Sequence, residues 1–271
     1  MMALLLARAQ VVMAAASAAC RLFVFSVMPG LLPYMILALM LVSRVRAMNP
    51  AVLVLLGFGG GSPTGGRLLR LCPLLSEKQR VRLAVTCSTM SPMFLLGTLG
   101  GWLKSPEAGV CILVAVLAGG LAAGALAGLV PRRERPAATQ AEAAAALPMG
   151  AAVEQASRTM LLVCGTMVML RVFADLAEDI TAGLCPALTL PLTTLLEVTT
   201  GVERIAALPL PLPLRTALMA GATGFGGVAV MMQNRAVWPE GMLSLWEQAL
   251  WQAVHGAVSF LIALGLMLLL G

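Results

Sequence analysis

Long apolar runs, cut by short polar or basic segments, follow one another along the whole chain. Residues 3–43 are almost continuously apolar; as one helix they would extend about 60 Å, twice the hydrocarbon thickness of a bilayer. Arg21, Pro29 and Pro33 divide this run. The division predicts an interfacial or partly inserted helix over residues 3–19 and a spanning segment near 21–43, with two crowded spans as the alternative. Pro50 to Leu71 is apolar on both sides of a Gly-rich tip, GFGGGSPTGG (Gly57 to Gly66). Basic residues flank it on both sides: Arg44 and Arg46 before, and Arg67, Arg70, Lys78, Arg80 and Arg82 after. A span would leave one of these clusters outside, whereas a hairpin that dips in and returns keeps both on the cytoplasmic face. The pattern therefore predicts a re-entrant hairpin, a plain loop between short helices being the alternative.

Residues 82–103 then cross outward through a segment broken by CSTMSPMFLLGTLGG (Cys87 to Gly101). After a short external turn at 104–107, residues 110–130 return to Arg132–Arg135. The second half repeats this order. Residues 160–177 cross outward to an acidic turn with Asp175, Glu178 and Asp179. Residues 186–209 form a second hairpin with LLEVTTG (Leu195 to Gly201) at its tip. Residues 214–233 cross inward through TGFGGVAVMMQ (Thr223 to Gln233), and 246–270 cross out again. Arg204 and Arg215 fall on the outer side, against the general trend of the basic residues. The reading is an all-α polytopic membrane protein with an inverted repeat, each half a span, a re-entrant hairpin, a broken span and a plain span. Its parts are an N-terminal apolar helix (1–20), a first repeat (21–130, hairpin about 50–71), a cytoplasmic linker (131–157) and a second repeat (158–271, hairpin about 186–209). Paired broken segments in corresponding halves point to a midplane binding site, because non-helical backbone at membrane depth survives only inside protein or along a cavity.

Composition agrees. Hydrophobic residues make up 60% of the chain and charged residues 11%, against about 25% charged in soluble domains. The runs lack the strict alternation of a β-barrel. The net charge of +6 comes from loop clusters and does not indicate nucleic acid. The first twenty residues resemble a signal peptide in ending on small residues before Cys20, but no positive charge precedes the apolar run and it continues into Leu22; it reads as part of the mature protein. Six cysteines without C-x-x-C spacing read as small buried hydrophobes. The one histidine, His255, lies inside the last apolar run and is expected to bond a neighbouring helix rather than a metal. No catalytic set, Walker motif or dinucleotide motif occurs, so the chain is not read as an enzyme.

The candidate chemistry sits at the breaks. Glycines at 59–61, 65 and 66 allow a tight turn and close approach of backbone to a ligand, or simply close helix packing. Ser62 and Thr64 add hydroxyls. A helix resuming at Gly65 would aim N–H groups at an anion, and Arg67 adds a cation. Glu197 is costly in a membrane, about 2.5–3.5 kcal/mol on insertion scales, unless Thr199, Thr200 and nearby backbone bond it; it is either a functional carboxylate or a structural hub. Arg171 either serves the site, or snorkels to the outer interface or pairs with Asp175 at i+4.

These segments carry a resemblance. GSPTGGR (Gly61 to Arg67), CSTMSPMFLLGTLG (Cys87 to Gly100), LLEVTTG, GFGGVAV (Gly224 to Val230) and the opening VFSVMPGLLPYMIL (Val24 to Leu37) resemble the YlbJ sporulation integral membrane protein family. That family belongs to the nucleoside-recognition, or gate, group and is similar in design to concentrative nucleoside transporters. Two departures stand out: the family's G-Y-P-M-G-A-K is here G-S-P-T-G-G-R, and its C-N-N-S-G-P is Cys87-Ser88-Thr89-Met90-Ser91-Pro92, with two hydroxyls in place of two amides. The resemblance implies a bacterial cell-membrane protein, in spore formers one surrounding the forespore, that moves a dipicolinate-like anion.

The resulting expectation is a transporter of a small, anionic solute working by alternating access. Its site would be lined by Ser62, Thr64, Gly65, Arg67, Ser88, Thr89, Glu197, Thr199, Thr200 and Gly226. The alternatives are a nucleoside or nucleobase transporter and a non-transporting sporulation scaffold. No cofactor is expected. A coupling ion, H+ or Na+, is left open, with Glu197 protonated or holding that cation, and so is a homo-oligomer. The expected partners are the bilayer and a small solute.

Overall fold

The breaks read from the sequence are breaks in the fold. The computed structural model describes residues 2–43, 49–70, 72, 75–132, 147–181 and 186–270, all helix or connecting segments with no strand among them. In chain order the helices are α1 (Met2–Ala7), α2 (Ala9–Leu22), α3 (Met28–Ser43), α4 (Pro50–Gly60), α5 (Thr64–Arg70), α6 (Glu77–Thr86), α7 (Gly100–Leu103), α8 (Pro106–Ala127), α9 (Met149–Thr181), α10 (Pro186–Leu196), α11 (Val198–Ala206), α12 (Leu212–Phe225), α13 (Gly227–Val237) and α14 (Leu245–Leu270). Five helical stretches are long and apolar enough to cross a membrane: Ala9–Ser43, Pro106–Ala127, Met149–Ile180, Leu212–Val237 and Leu245–Leu270.

Local chemistry sets the ends. Asn49 caps α4, its side chain accepting from the Ala51 N–H at 2.9 Å, with Pro50 in the first turn. Ser76 and Gln79 form a reciprocal capping box on α6. Ser105 caps α8 ahead of Pro106. Gly61 (φ 64°) ends α4, and a Cβ there would fall 2.6 Å from the Ser91 N, so the turn and the close approach both require glycine. Two successive left-handed glycines, Gly226 (φ 76°) and Gly227 (φ 69°), separate α12 from α13.

At the N-terminus the structure corrects the sequence reading. The helix is not interrupted near residue 20: it runs from Ala9 to Ser43, α2 passing into α3 through a π-helical turn at Phe23–Val27. The wider turn precedes Pro29, and Pro33 lies inside α3, where a membrane helix tolerates the lost N–H bond. A second π-helical turn, Phe94–Leu99, leads into α7.

The spans face their polar side inward. Phe25, Leu55, Leu161 and Leu261 are at least 65% exposed, while Thr64, Thr200, Gln248 and His255 are at most 1% exposed. That is the arrangement expected when lipid, not water, surrounds the chain. Among the helices α3 packs on α9, α8 on α14, α6 on α8 and α12 on α14. Small residues permit the approach: Gly119 of α8 lies against Ser259 and His255 of α14, and Gly120 and Gly124 against Thr86 of α6. One end of the bundle gathers Ser43, which accepts from the Leu147 N–H, Arg70 on the Trp238 carbonyl and Arg132 on Glu247. The opposite end carries the Arg8–Asp179 pair.

Candidate functional site

The first tip is a three-residue break, Gly61-Ser62-Pro63, between α4 and α5. Its bonds lead away from its own helices. The Ser62 N–H donates to the Thr89 carbonyl at 2.6 Å, and the Ser62 hydroxyl donates to Asn234 Oδ1 of α13. Asn234 in turn donates through Nδ2 to Ser88 Oγ at 2.7 Å. Asn234, 1% exposed, thus ties the first hairpin tip, the break after α6 and the second broken span into one knot. Every group in it is buried, so each bond removed leaves a polar atom without water.

The second tip is built around Glu197, which caps α11. Oε1 accepts from the Thr199 N–H at 3.0 Å and its hydroxyl at 2.7 Å. Oε2 accepts from the Thr200 N–H at 2.7 Å and its hydroxyl at 2.6 Å. A carboxylate has about four acceptor positions, and α11 fills them all. The positive end of the helix adds to this. Arg171 of α9 donates to Thr200 Oγ1 at 2.6 Å, which leaves the Thr200 proton free to point at Glu197. Arg171 also pairs with Asp175 at 3.1 Å, the i+4 pairing read from the sequence, and does not border the cavity. Behind it, Arg204 of α11 pairs with Asp175 at 3.2 Å and with Glu178, and Arg215 donates to the Ala206 carbonyl at 2.7 Å. The two basic residues on the unexpected side are thus bonded locally.

Between the two tips lies a cavity of about 30 Å³, room for two or three water molecules at roughly 10–15 Å³ each. Ser62 borders it from the first tip, Glu197 and Thr199 from the second, Ser91 from the break after α6 and Gln233 from α13, with an apolar wall that includes Val230. Both hairpins and both broken spans therefore meet at one small pocket, mostly apolar in its walls and carrying these few polar groups. Among the described residues Glu197 is the only charged one on its lining.

The other expected site residues lie elsewhere. Thr64, fully buried, returns its hydroxyl to the Gly60 carbonyl at 3.0 Å. Gly65 belongs to packing: a Cβ there would fall 2.5 Å from Cys87 Cβ, and α5 begins one residue earlier, at Thr64. Arg67 turns away to Thr159 Oγ1 of α9 at 3.0 Å. Thr89 offers its carbonyl to Ser62, Ser88 borders a second, smaller pocket, Thr200 stands behind Glu197, and Gly226 shapes the break without reaching the cavity. Asn234 and Gln233 went unrecognised in the sequence because they read as the polar end of a span. Two adjacent amides immediately after an apolar run were the available signal. Among the described residues no group of three His, Cys, Asp or Glu side chains could hold a metal.

No family model matches this chain, and neither a curated protein nor a solved structure matches it. The resemblance to the YlbJ family rests on the motif segments themselves.

Proposed function

We propose that the chain is a membrane carrier for a small polar solute, working by alternating access around the cavity between the two tips. The observation that carries this reading is the convergence on one small pocket of two helix–break–helix hairpins and two broken spans, with the Glu197 carboxylate on its wall. The matched order of elements in the halves, and the packing of α3 on α9 and α8 on α14, support an inverted repeat with a pseudo-two-fold axis through the cavity. The end carrying Arg70 and Arg132 is then cytoplasmic.

The lining favours a neutral, hydrogen-bonding solute of the nucleoside or nucleobase kind over a dicarboxylate. An anion placed about 4 Å from Glu197 would meet a repulsion of about 4 kcal/mol at an effective dielectric of 20. Arg67, the cation expected to offset this, is engaged with Thr159. An anionic, dipicolinate-like solute requires Arg67 to leave that partner and turn inward. Purified protein in liposomes, offered radiolabelled uridine and dipicolinate in parallel, separates the two. Uridine uptake that adenosine competes for and that survives Arg67→Gln supports the neutral solute. Dipicolinate uptake lost in Arg67→Gln and kept in Arg67→Lys establishes the anion. Movement of neither returns the chain to the scaffold alternative.

A further inference from the structure

A groove of about 560 Å³ lies along the second hairpin and shares no lining residue with the central cavity. Its size is that of a ligand pocket, roughly 300–1,000 Å³. The floor is the seam of two spans, lined from Leu218 to Phe225 on α12 and from Ala253 to Phe260 on α14. On both helices the lining positions recur at i, i+3, i+4 and i+7, which is one helix face. Gly221 and Gly256 set the depth, since a Cβ on Gly256 would fall 2.7 Å from the Gly221 carbonyl oxygen. The α10–α11 hairpin supplies the remaining wall. Thr194 is the one polar residue among the described lining, and its hydroxyl is turned back on the Leu190 carbonyl at 2.8 Å. Leu195 and Ala257, on the rim, are exposed, so the groove opens on the surface that faces lipid.

A cation stands at one end of it. Arg215 precedes Leu218 by three residues, on the same face of α12. Of its five N–H donors, Nη1 gives one to the Ala206 carbonyl at 2.7 Å, and Nε gives none. The side chain is half-buried and enters no ion pair among the described residues. The carboxylates at this end have other cations: Asp179 has Arg8, Asp175 and Glu203 have Arg171, and Glu178 has Arg204. These charges mark the headgroup level of the bilayer, with the apolar groove running inward from it. We infer that the groove holds one acyl chain of an anionic phospholipid, whose phosphate sits on Arg215. A second copy of the chain could offer apolar side chains to the groove, but its carboxylates at this end are already paired. An anionic lipid brings both the chain and the charge that Arg215 lacks. The proposal goes beyond the carrier reading and does not depend on it.

The test uses the full chain in liposomes containing phosphatidylglycerol or phosphatidylcholine that carries a diazirine in one acyl chain. After illumination, cross-links are mapped by peptide mass spectrometry. Phosphatidylglycerol should mark residues 218–225 and 253–260 about fivefold more than phosphatidylcholine, the contribution of one basic residue toward an anionic lipid. Arg215→Gln should abolish that difference and Arg215→Lys should keep it. Lys104→Gln, which removes an exposed cation of the outer turn, should also keep it. Ala257→Trp, which fills the groove, should remove labelling of residues 218–225 by either lipid. Equal labelling by the two lipids in the wild type, or a preference that survives Arg215→Gln, overturns the phosphate assignment. Labelling that Ala257→Trp leaves unchanged overturns the groove as its place. Disulfide dimers of Ala257→Cys, formed in the bilayer by an otherwise cysteine-free chain, would seat a second copy there and overturn the lipid. Labelling requires no transport, so failure of the carrier reading leaves this result standing.

Discussion

Replacing Glu197 by glutamine tests how the second tip is held. From the sequence alone the substitution looks conservative, keeping shape while removing charge. The hydrogen bonds say otherwise. In the wild type each carboxylate oxygen accepts one backbone N–H and one hydroxyl, at 2.6–3.0 Å. Glutamine retains one such oxygen and puts an amino group in place of the other. If the oxygen stays on Thr199, the amino group faces the Thr200 N–H, donor against donor. It can recover a bond to the Thr200 hydroxyl, but the Thr200 N–H, in a residue with no exposure, is left unpaired. An unsatisfied buried N–H costs about 1–3 kcal/mol, and loss of charge assistance in the remaining bonds adds roughly 1 kcal/mol. The expected destabilisation is therefore about 2–4 kcal/mol. Reversible unfolding in mixed micelles, titrated with SDS, measures it. In a double-mutant cycle Thr200→Val should couple to Glu197→Gln by about 1 kcal/mol or more. A change within about 0.5 kcal/mol of wild type, with no coupling, would show that α11 does not depend on this cap and that the carboxylate is free for other work.

Three further outcomes follow from particular contacts. Gly65→Ala places a Cβ 2.5 Å from Cys87 Cβ and should cost about 1–3 kcal/mol; Cys87→Ala should not rescue it, since the Cβ remains, whereas Cys87→Gly should, as read by thermal unfolding. Asn234→Leu strips the Ser62 and Ser88 hydroxyls of their shared partner; uptake should fall at least tenfold, with a stability loss of about 2–4 kcal/mol, and wild-type uptake would remove the knot from the mechanism. Single cysteines at Ser76 and Ser105, in a cysteine-free background, should react with a membrane-impermeant maleimide only from the cytoplasmic and only from the outer face, respectively; labelling of both from one face would break the topology.

The order of elements was legible in the sequence because lipid imposes a simple code. Apolar runs of spanning length, basic loops and Gly-rich breaks located α4, α5, α8 and the hairpin of α10 and α11. Gly61 and Glu197 were readable as tips, since each places a residue that helices avoid inside an apolar run. The continuity of Ala9–Ser43 was not legible, because the π-helical turn that accommodates Pro29 leaves no composition of its own. Thr64, Gly65 and Arg67 sat beside the break and were grouped with it, yet one turn of helix is enough to send a side chain to a different neighbour: Arg67 to Thr159, Gly65 to Cys87. Asn234 was out of reach for a different reason. Its partners lie 172 and 146 residues away in the chain, and such pairing depends on tertiary packing that local pattern does not encode.

The central claim is that the cavity between the tips opens in turn to each side of the membrane. A cysteine at Val230, on the cavity wall and 5% exposed, in an otherwise cysteine-free chain reports this directly. In oriented proteoliposomes a membrane-impermeant thiol reagent should modify Val230→Cys from the outside and, when applied to the lumen, from the inside, and uridine should slow both reactions. Modification from one side only, or from neither, with no protection by uridine or dipicolinate, would contradict alternating access at this site.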